Sequence, residues 1–492
     1  MTVSADRAPA VHDIAVIGAG IVGSALAREL AGHDLSVALV EARDDVGDGT
    51  SKANTALLHT GFDAKPGTLE SRLVARGYHL LGAYAERTGI PVERTGALLV
   101  AWNDEELAAL PGLKEKAEAN GYHACALIGA DEVYAALPAL GDGALGGLTV
   151  PGESIICTWT TNLALATDAK RRGTDVLLGH AVTAVTRDDA TGVTTLATTG
   201  GDVRARWVVN AAGLGADRID RLFGHDRFTV TPRRGELFVF DKLARPLVDR
   251  IVLPVPTSRG KGVLVSPTIY GNVMLGPTSE DLTDRTATGT SEDGFAFLLG
   301  KGEKLMPRLL KEEVTASYAG LRAAIDHGDY LIEASPEQRY LLVGGIRSTG
   351  LTAGMAIAEH ALGLLADAGL ALTPRDDVPA PPRMPNLGEA TTRPYQDAER
   401  IAADPAYGQI VCFCERVTAG EIRDACHATL PAPNLEGLRR RTRAMNGRCQ
   451  GFFCGAEVAR LLATRGADTG SGGGSDSGSG THEPRQHEEK TR

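Results

Sequence analysis

Residues 13–32, DIAVIGAGIVGSALARELAG, decide the fold of this chain. Asp13 to Ile17 is an apolar run of strand length, and Ile21 to Ala31 reads as a helix. Between them Gly18, Gly20 and Gly23 stand at G-x-G-x-x-G spacing. Residues 36–41, SVALVE, add a second strand closed by Glu41. Gly18 allows a tight turn, Gly20 lets a pyrophosphate approach the backbone, and Gly23 lets the helix pack on the strand. The helix start offers free N–H groups and a positive dipole end to phosphates. Glu41 can accept hydrogen bonds from a ribose hydroxyl pair. The unit is therefore a dinucleotide-binding βαβ, in a fingerprint that NAD and FAD sites share.

Bulk composition excludes several function classes. The chain has 492 residues, room for two to four domains. Its 43% hydrophobic and 23% charged residues are those of an ordinary globular protein. A net charge of -11 argues against non-specific nucleic-acid binding. No apolar run reaches the length of a membrane span. The opening MTVSADRAPAVHD has neither the basic segment nor the apolar core of a secretory signal, so a cytoplasmic location is expected.

Outward from the opening motif, residues 1–370 alternate strand-like and helix-like segments. Residues 175–185, DVLLGHAVTAV, look like a strand pair beside the nucleotide site. Residues 205–217, ARWVVNAAGLGAD, run from a strand into a small-residue turn. Stretches such as RRGELFVF (233–240) and YAGLRAAI (318–325) suggest a separate substrate-carrying sheet. Residues 371–405 are rich in proline and polar residues and read as a linker. Residues 406–464 form a small cysteine-containing domain, and residues 465–492 a low-complexity, disordered tail. The expected architecture is α/β: a Rossmann-like cofactor domain with an inserted mixed-sheet substrate domain, followed by a small helical domain.

Three further segments distinguish a flavin from a nicotinamide. Residues 48–69, DGTSKANTALLHTGFDAKPGTL, are suited to running beside a long cofactor and presenting His59 to a reacting ring. VVNAAG (208–213) returns the chain to the cofactor. GGIRSTGLTAGMAIAEHA (344–361) is a strand, turn and helix start whose N-terminus can stabilise charge on a reduced flavin. Together these segments resemble the glycine-oxidase/glycerol-3-phosphate-dehydrogenase class of FAD-dependent oxidoreductases over residues 12–370. The resemblance is closest to glycerol-3-phosphate dehydrogenases and oxidases and to L-2-hydroxyglutarate dehydrogenases. It implies that Gly18, Gly20, Gly23 and Glu41 bind the ADP half. It places Thr50, Ser51 and Asn54 along the pyrophosphate and ribityl chain, and Val182 at the adenine through its backbone. Ala212 and Gly213 would lie beside the diphosphate, and Gly350, Leu351 and Thr352 at the isoalloxazine. The FAD is expected to be non-covalent.

Alcohol oxidation needs a base within reach of the hydroxyl. His59 is the first candidate, as a neutral imidazole near pH 7. By resemblance, Arg322 in YAGLRA (318–323) is the substrate-site arginine, a planar fork for a carboxylate or phosphate. Arg234 in PRRGEL (232–237) matches a basic position of the same class, with Arg233 as a second cation. Glycerol-phosphate enzymes commonly carry proline after the GLR arginine, where this chain has Ala323 and Ala324.

Five of seven cysteines lie near the C-terminus. VCFCERVTAGEI (411–422) and GRCQGFFCGAEV (447–458) supply a C-x-C pair and a C-x4-C pair. Four thiolates can hold a [2Fe–2S] cluster, whereas structural zinc favours C-x2-C knuckles. The segment resembles the bacterioferritin-associated ferredoxin-like [2Fe–2S] domain, implying Cys412, Cys414, Cys449 and Cys454 as ligands. Cys426, Cys125 and Cys157 read as packing residues. The run GLRRRTRAMNGR (437–448) is either a solvated helix face or a set of cations that offset cluster charge and attract an acidic electron carrier.

The chain therefore reads as an FAD-dependent dehydrogenase oxidising a small anionic hydroxy compound, with electrons leaving through a [2Fe–2S] cluster. Glycerol 3-phosphate is the first substrate and L-2-hydroxyglutarate the second. The remaining readings are an amino- or imino-acid oxidoreductase and a non-catalytic electron-transfer protein. The implied partner is a one-electron acceptor or an electron-transfer subunit, with peripheral membrane contact left open.

Overall fold

A computed structural model describes residues 10–256, 262–389 and 391–464; the tail expected at 465–492 lies outside them. The opening motif folds as read. Strand β1 (Val11–Ile17) leads through the glycine turn into helix α1 (Ile21–Leu30), and β2 (Val37–Val40) returns parallel to β1. Gly18 has φ +101, a backbone that side chains rarely adopt. A Cβ on Gly23 would lie 1.8 Å from the Gly18 carbonyl oxygen, so only glycine lets α1 pack this close to the turn.

β1 is central in an eight-stranded sheet. It is flanked by β2 and by β3 (Val203–Asn210), both parallel to it. The expected strand pair is present as Asp175–Leu177, which pairs with β2, and Val182–Asp188 at the opposite edge. Helices α2 (Thr158–Arg171) and α3 (Gly350–Asp367) pack against α1 on one face. Their contact is dry and small-residue rich: Ala25, Ala353, Ala356, Ile357 and Ala164 are all buried.

The substrate sheet is a second, nine-stranded layer. Its long antiparallel pair is β4 (Thr231–Phe240) with β5 (Val314–Ala324). Register sets Arg233 directly opposite Arg322 and Gly235 opposite Gly320. Cross-strand partners share a face and neighbours along a strand alternate. Arg233 and Arg322 therefore project together, and Arg234 projects to the other side.

The described residues of 371–397 contain no long helix or strand but are pinned to the flavin domain. Thr373 accepts from Asp34 N, Met384 N donates to Thr88, and Glu389 N donates to Ile269. The small domain then forms from a two-strand ribbon and helices α4 (Ala419–Cys426), α5 (Leu435–Thr442) and α6 (Gly455–Thr464). It has its own core of Val417, Ile422, Leu438 and Val458.

Candidate active site and iron–sulfur centre

The cofactor groove is built from two helix ends whose own N-cap residues make no capping bond. α1 begins at Gly20 without a side-chain cap or a first-turn acid. Ser51 Oγ accepts from Ile21 N at 2.9 Å, which puts the 50–54 segment at this helix start. Glu41 accepts from Ala19 N at 2.7 Å, and burial pushes its carboxyl above the usual range. Ala211 lies against Gly18, and Ala212 and Gly213 follow it at the end of β3. The His180 N–H bonds the Glu41 carbonyl, and Val182 starts its strand two residues later. Asn54 donates to Ser51 O and Thr158 Oγ1, while Thr50 Oγ1 donates to Leu321 O on β5.

α3 is the second open helix end. Its N-cap, Thr349, makes no capping bond; its hydroxyl donates to Glu70 and also meets Tyr330 OH at 2.6 Å. The first turn, Gly350, Leu351 and Thr352, is left with free N–H groups and a positive dipole end. Thr352 Oγ1 accepts from His59 N at 3.0 Å, so His59 sits at this helix start. Two open helix N-termini joined by the 50–59 segment suit a long anionic dinucleotide, with α1 at its phosphates and α3 at its ring.

His59 differs from the expected neutral imidazole. Its Nδ1 meets Glu153 Oε1 at 2.8 Å and its Nε2 meets Asp63 Oδ1 at 2.9 Å. Burial favours the neutral form, but the two carboxylates outweigh it and hold the imidazolium up to about 10. In this arrangement His59 is a cation at neutral pH, and the titration expected near neutrality moves into the alkaline range. Glu153 is fully buried; its Oε1 also accepts from Thr60 N and Thr60 Oγ1, and its Oε2 is buried without a partner. Sequence reading missed both acids. Asp63 lies four residues from His59 in the same run, a visible signal, whereas Glu153 is ninety-four residues away and carries none.

Arg322 is mostly buried, and its guanidinium donates to the Thr278 carbonyl at 3.3 Å. Among the described residues it forms no ion pair. Burial first, and then Arg233 opposite, hold its pKa below the ordinary value. A desolvated guanidinium of this kind calls for an anion. Arg234 does not join it. It pairs with buried Glu236 at 3.1 Å and with Glu280, and its Nη1 donates to Gly289 O. The expectation of Arg234 at the substrate is thus corrected: strand alternation turns it to the opposite face.

In the small domain the four cysteine thiols meet in pairs. Cys414 contacts Cys449, and Cys412 contacts Cys454. Cys449 is held below the usual thiol range by the backbone N–H of Phe453, with Gly451 and Phe452 adding to it. Burial pushes Cys454 up to about 12 against a donor from Met445 N–H. Among the described residues no three His, Cys, Asp or Glu side chains converge on one ion position. Two thiol pairs fit two irons, with two thiolates each, better than a single tetrahedral ion. Gly447 is required here: its Cβ would lie 2.2 Å from Cys414 Cβ. Cys426 is buried at the end of α4, Cys125 is buried, and Cys157 caps α2.

Most of the arginine run is tied into ion pairs. Arg441 forms a two-pronged bond to Asp45 of the flavin domain, at 2.7 and 2.8 Å, and Arg440 adds a third bond at 2.7 Å. Arg440 also reaches Asp48 at 2.8 Å. Arg443 lies 4.1 Å from the Tyr270 ring and pairs with Glu415, and Arg448 bonds Asp241. These cations clasp the two domains together.

The fold and site define a flavin enzyme carrying an iron–sulfur module. The FAD dependent oxidoreductase family model matches residues 13–364, and the chain belongs to that family. The BFD-like [2Fe-2S] binding domain model matches residues 410–464. The chain is similar to a glycerol 3-phosphate dehydrogenase of Caloramator mitchellensis, 34% identical over 92% of this chain and 94% of that protein. It is also similar to an anaerobic glycerol-3-phosphate dehydrogenase subunit of Escherichia coli, 28% identical over 92% of this chain and 88% of that one. Among solved structures it resembles the FAD-bound, dithionite-reduced L-alpha-glycerophosphate oxidase of Mycoplasma pneumoniae. That match has a TM-score of 0.72 and 28% identity, covering 77% of this chain and all of the other. The protein is thus an FAD-dependent oxidoreductase with a [2Fe–2S] domain. No helix among the described residues is long and apolar enough to cross a membrane.

Proposed function

We propose that this enzyme oxidises glycerol 3-phosphate to dihydroxyacetone phosphate. The observation that carries the reading is Arg322, a desolvated guanidinium without a carboxylate partner on the substrate sheet. Its support is the likeness, across both domains, to proteins named for glycerol 3-phosphate. FAD would supply the hydride acceptor at the α3 start, and a [2Fe–2S] cluster on Cys412, Cys414, Cys449 and Cys454 a one-electron outlet.

The side chains divide the remaining work. Arg322 anchors the phosphate in a bidentate fork. His59, fixed by its backbone bond to Thr352, handles the hydroxyl proton at Nε2, exchanging its Asp63 contact for the substrate hydroxyl. It accepts that proton only in its neutral form, so oxidation speeds up as pH rises toward about 10. Glu153 and Asp63 orient the ring and set its proton affinity. The α3 N-terminus faces charge that builds as the alcohol is oxidised.

Anaerobic mixing of the holoenzyme with candidate substrates, followed at the flavin absorbance, tests the reading. Glycerol 3-phosphate should bleach the flavin faster than L-2-hydroxyglutarate, glycine or proline. Faster bleaching by L-2-hydroxyglutarate would transfer the assignment to a carboxylate substrate.

A further inference from the structure

Where the two domains meet, the flavin domain offers a stacked aromatic pair. The rings of Trp159 and Tyr270 lie 5.2 Å apart, with their planes 25° from parallel. Arg443 of the small domain lies over both, 4.1 Å from the Tyr270 centroid and 5.8 Å from that of Trp159. At one end the stack meets the cofactor segment. The Trp159 indole N–H donates to the Lys52 carbonyl at 3.0 Å. Its neighbour Thr158 donates to Ser51 O and accepts from Asn54 Nδ2. α2 therefore opens on the 50–54 stretch and hands its next side chain to Tyr270, whose hydroxyl is fixed by Cys157 Sγ at 3.2 Å.

At the other end the stack meets a cysteine loop. Arg443 Nε and Nη2 both donate to Glu415 Oε2 at 3.0 Å, and Glu415 directly follows Cys414. Tyr270, Arg443 and Glu415 are all buried. Arg443 also holds φ +71 at the C-terminal end of α5, a left-handed position where glycine is usual. Strain of this kind persists where a side chain is needed, and this side chain is the one that reaches the stack. The other contacts between the domains make no such line. The Asp45 clasp ends on α5 in Arg440 and Arg441, away from the cysteine loops. Arg448 adjoins Cys449 but is half exposed, and its partner Asp241 lies past the end of β4 remote from Arg233.

We propose that the Trp159–Tyr270 stack, with Arg443 laid on it, is the bridge by which electrons pass from the flavin segment to the cysteine domain. The proposal rests on the cysteine domain being the electron outlet. At each passage the reduced flavin loses one electron and one cluster Fe(III) becomes Fe(II). No bond forms or breaks in the bridge, and its rings are neither oxidised nor reduced. A second passage, after the first electron has left the cluster, returns the flavin to its oxidised form, and the protons go to solvent. Electron tunnelling weakens steeply across empty space and so follows packed atoms. Stacked rings under a guanidinium close the gap at the domain boundary.

Laser-flash reduction of the anaerobic holoenzyme by a deazaflavin places one electron on the protein without substrate, so the result stands apart from the identity of the alcohol. The relaxation of that electron between flavin and cluster is read from their separate absorbance changes. Trp159→Leu and Tyr270→Leu should each slow it about tenfold, because a large-to-small change in a packed site leaves a cavity. Trp159→Phe, which keeps a ring, should recover part of the rate. The potentials of both centres should match wild type in all three variants. So should the EPR relaxation of the half-reduced flavin beside the reduced cluster, which reports their separation. A slower rate with both unchanged isolates the bridge from the seating of the domain. The two leucine variants are read separately, so failure of one to assemble leaves the other to decide. A wild-type rate in either leucine variant overturns the proposal, as does a Trp159→Phe rate no faster than that of Trp159→Leu. A slower rate with an altered potential or EPR relaxation also overturns it, showing that the rings only seat the small domain. No relaxation in wild type would remove the electron outlet itself, and the bridge with it.

Discussion

At the scale of the residue, the site depends on two charges that packing has altered, Arg322 and His59. Arg322 has surrendered most of its water for a carbonyl contact. Arg322→Ala should lower kcat/KM for glycerol 3-phosphate by about 2–4 kcal/mol, the loss of a charge-assisted bidentate contact, with FAD content unchanged. Steady-state kinetics on the flavin-replete variant decide this, and an unaltered kcat/KM would remove the arginine from the substrate site. His59 is the second, and Glu153 is bonded to its ring. Glu153→Gln removes the larger of the two carboxylate influences on the imidazole, so the histidine should titrate below its wild-type value of about 10. Flavin reduction plotted against pH should then rise at lower pH than in wild type, and the His59 ring signal in NMR should move with it. A rise at the wild-type pH would show that Glu153 only packs. The sign for stability follows from the same shift. A folded pKa raised above 6.5 stabilises the fold fully below that pH, and the contribution is lost as pH climbs through about 10. Wild type should therefore lose stability over that alkaline window more steeply than Glu153→Gln.

At the scale of the element, helix ends and glycine contacts decide where the cofactors fit. Neither α1 nor α3 is capped by its own N-cap residue, although Ser51 Oγ takes the Ile21 N–H of α1. Such ends cost stability unless a ligand satisfies them. FAD should accordingly raise Tm in a concentration-dependent way. In the small domain the deciding contact is Gly447 against Cys414. Gly447→Ala should displace the C-x-C loop and abolish the cluster's visible absorbance, while leaving flavin content intact, since α1, α3 and the 50–59 segment lie in a separate core. Absorbance and iron analysis of the purified variant provide the check. Retention of a full cluster would place the second thiol pair elsewhere.

At the scale of the whole molecule, the two domains are held together by ion pairs that no local reading of either domain contains. Asp45 is 1% exposed and receives both Arg440 and Arg441. Asp45→Asn leaves two buried cations without their shared anion, a change of about 3–5 kcal/mol against docking. The small domain should then detach, giving faster proteolysis within residues 371–405 and a separate unfolding transition. Each follows from limited digestion and calorimetry. A single transition at the wild-type Tm would mean that Arg443 on Tyr270 and Arg448 on Asp241 suffice.

Much of this protein is written locally in its sequence. The βαβ unit was legible because Gly18, Gly20, Gly23 and Glu41 act within one short stretch, where strand, turn and helix each follow from neighbours. The small domain was legible for the same reason, since its cysteines come in close-spaced pairs. What the chain alone left open depends on strand register, on which face a side chain takes, and on partners far away in sequence. Arg234 and Arg322 look alike as isolated basic residues. Pairing of Arg233 with Arg322 put Arg322 beside the Thr278 carbonyl and turned Arg234 into pairs with Glu236 and Glu280. The charge of His59 came from Glu153, ninety-four residues away, and the purpose of the arginine run from Asp45, 396 residues from Arg441. Only tertiary structure brings such groups within a few ångströms, where Coulomb attraction and desolvation set their chemistry.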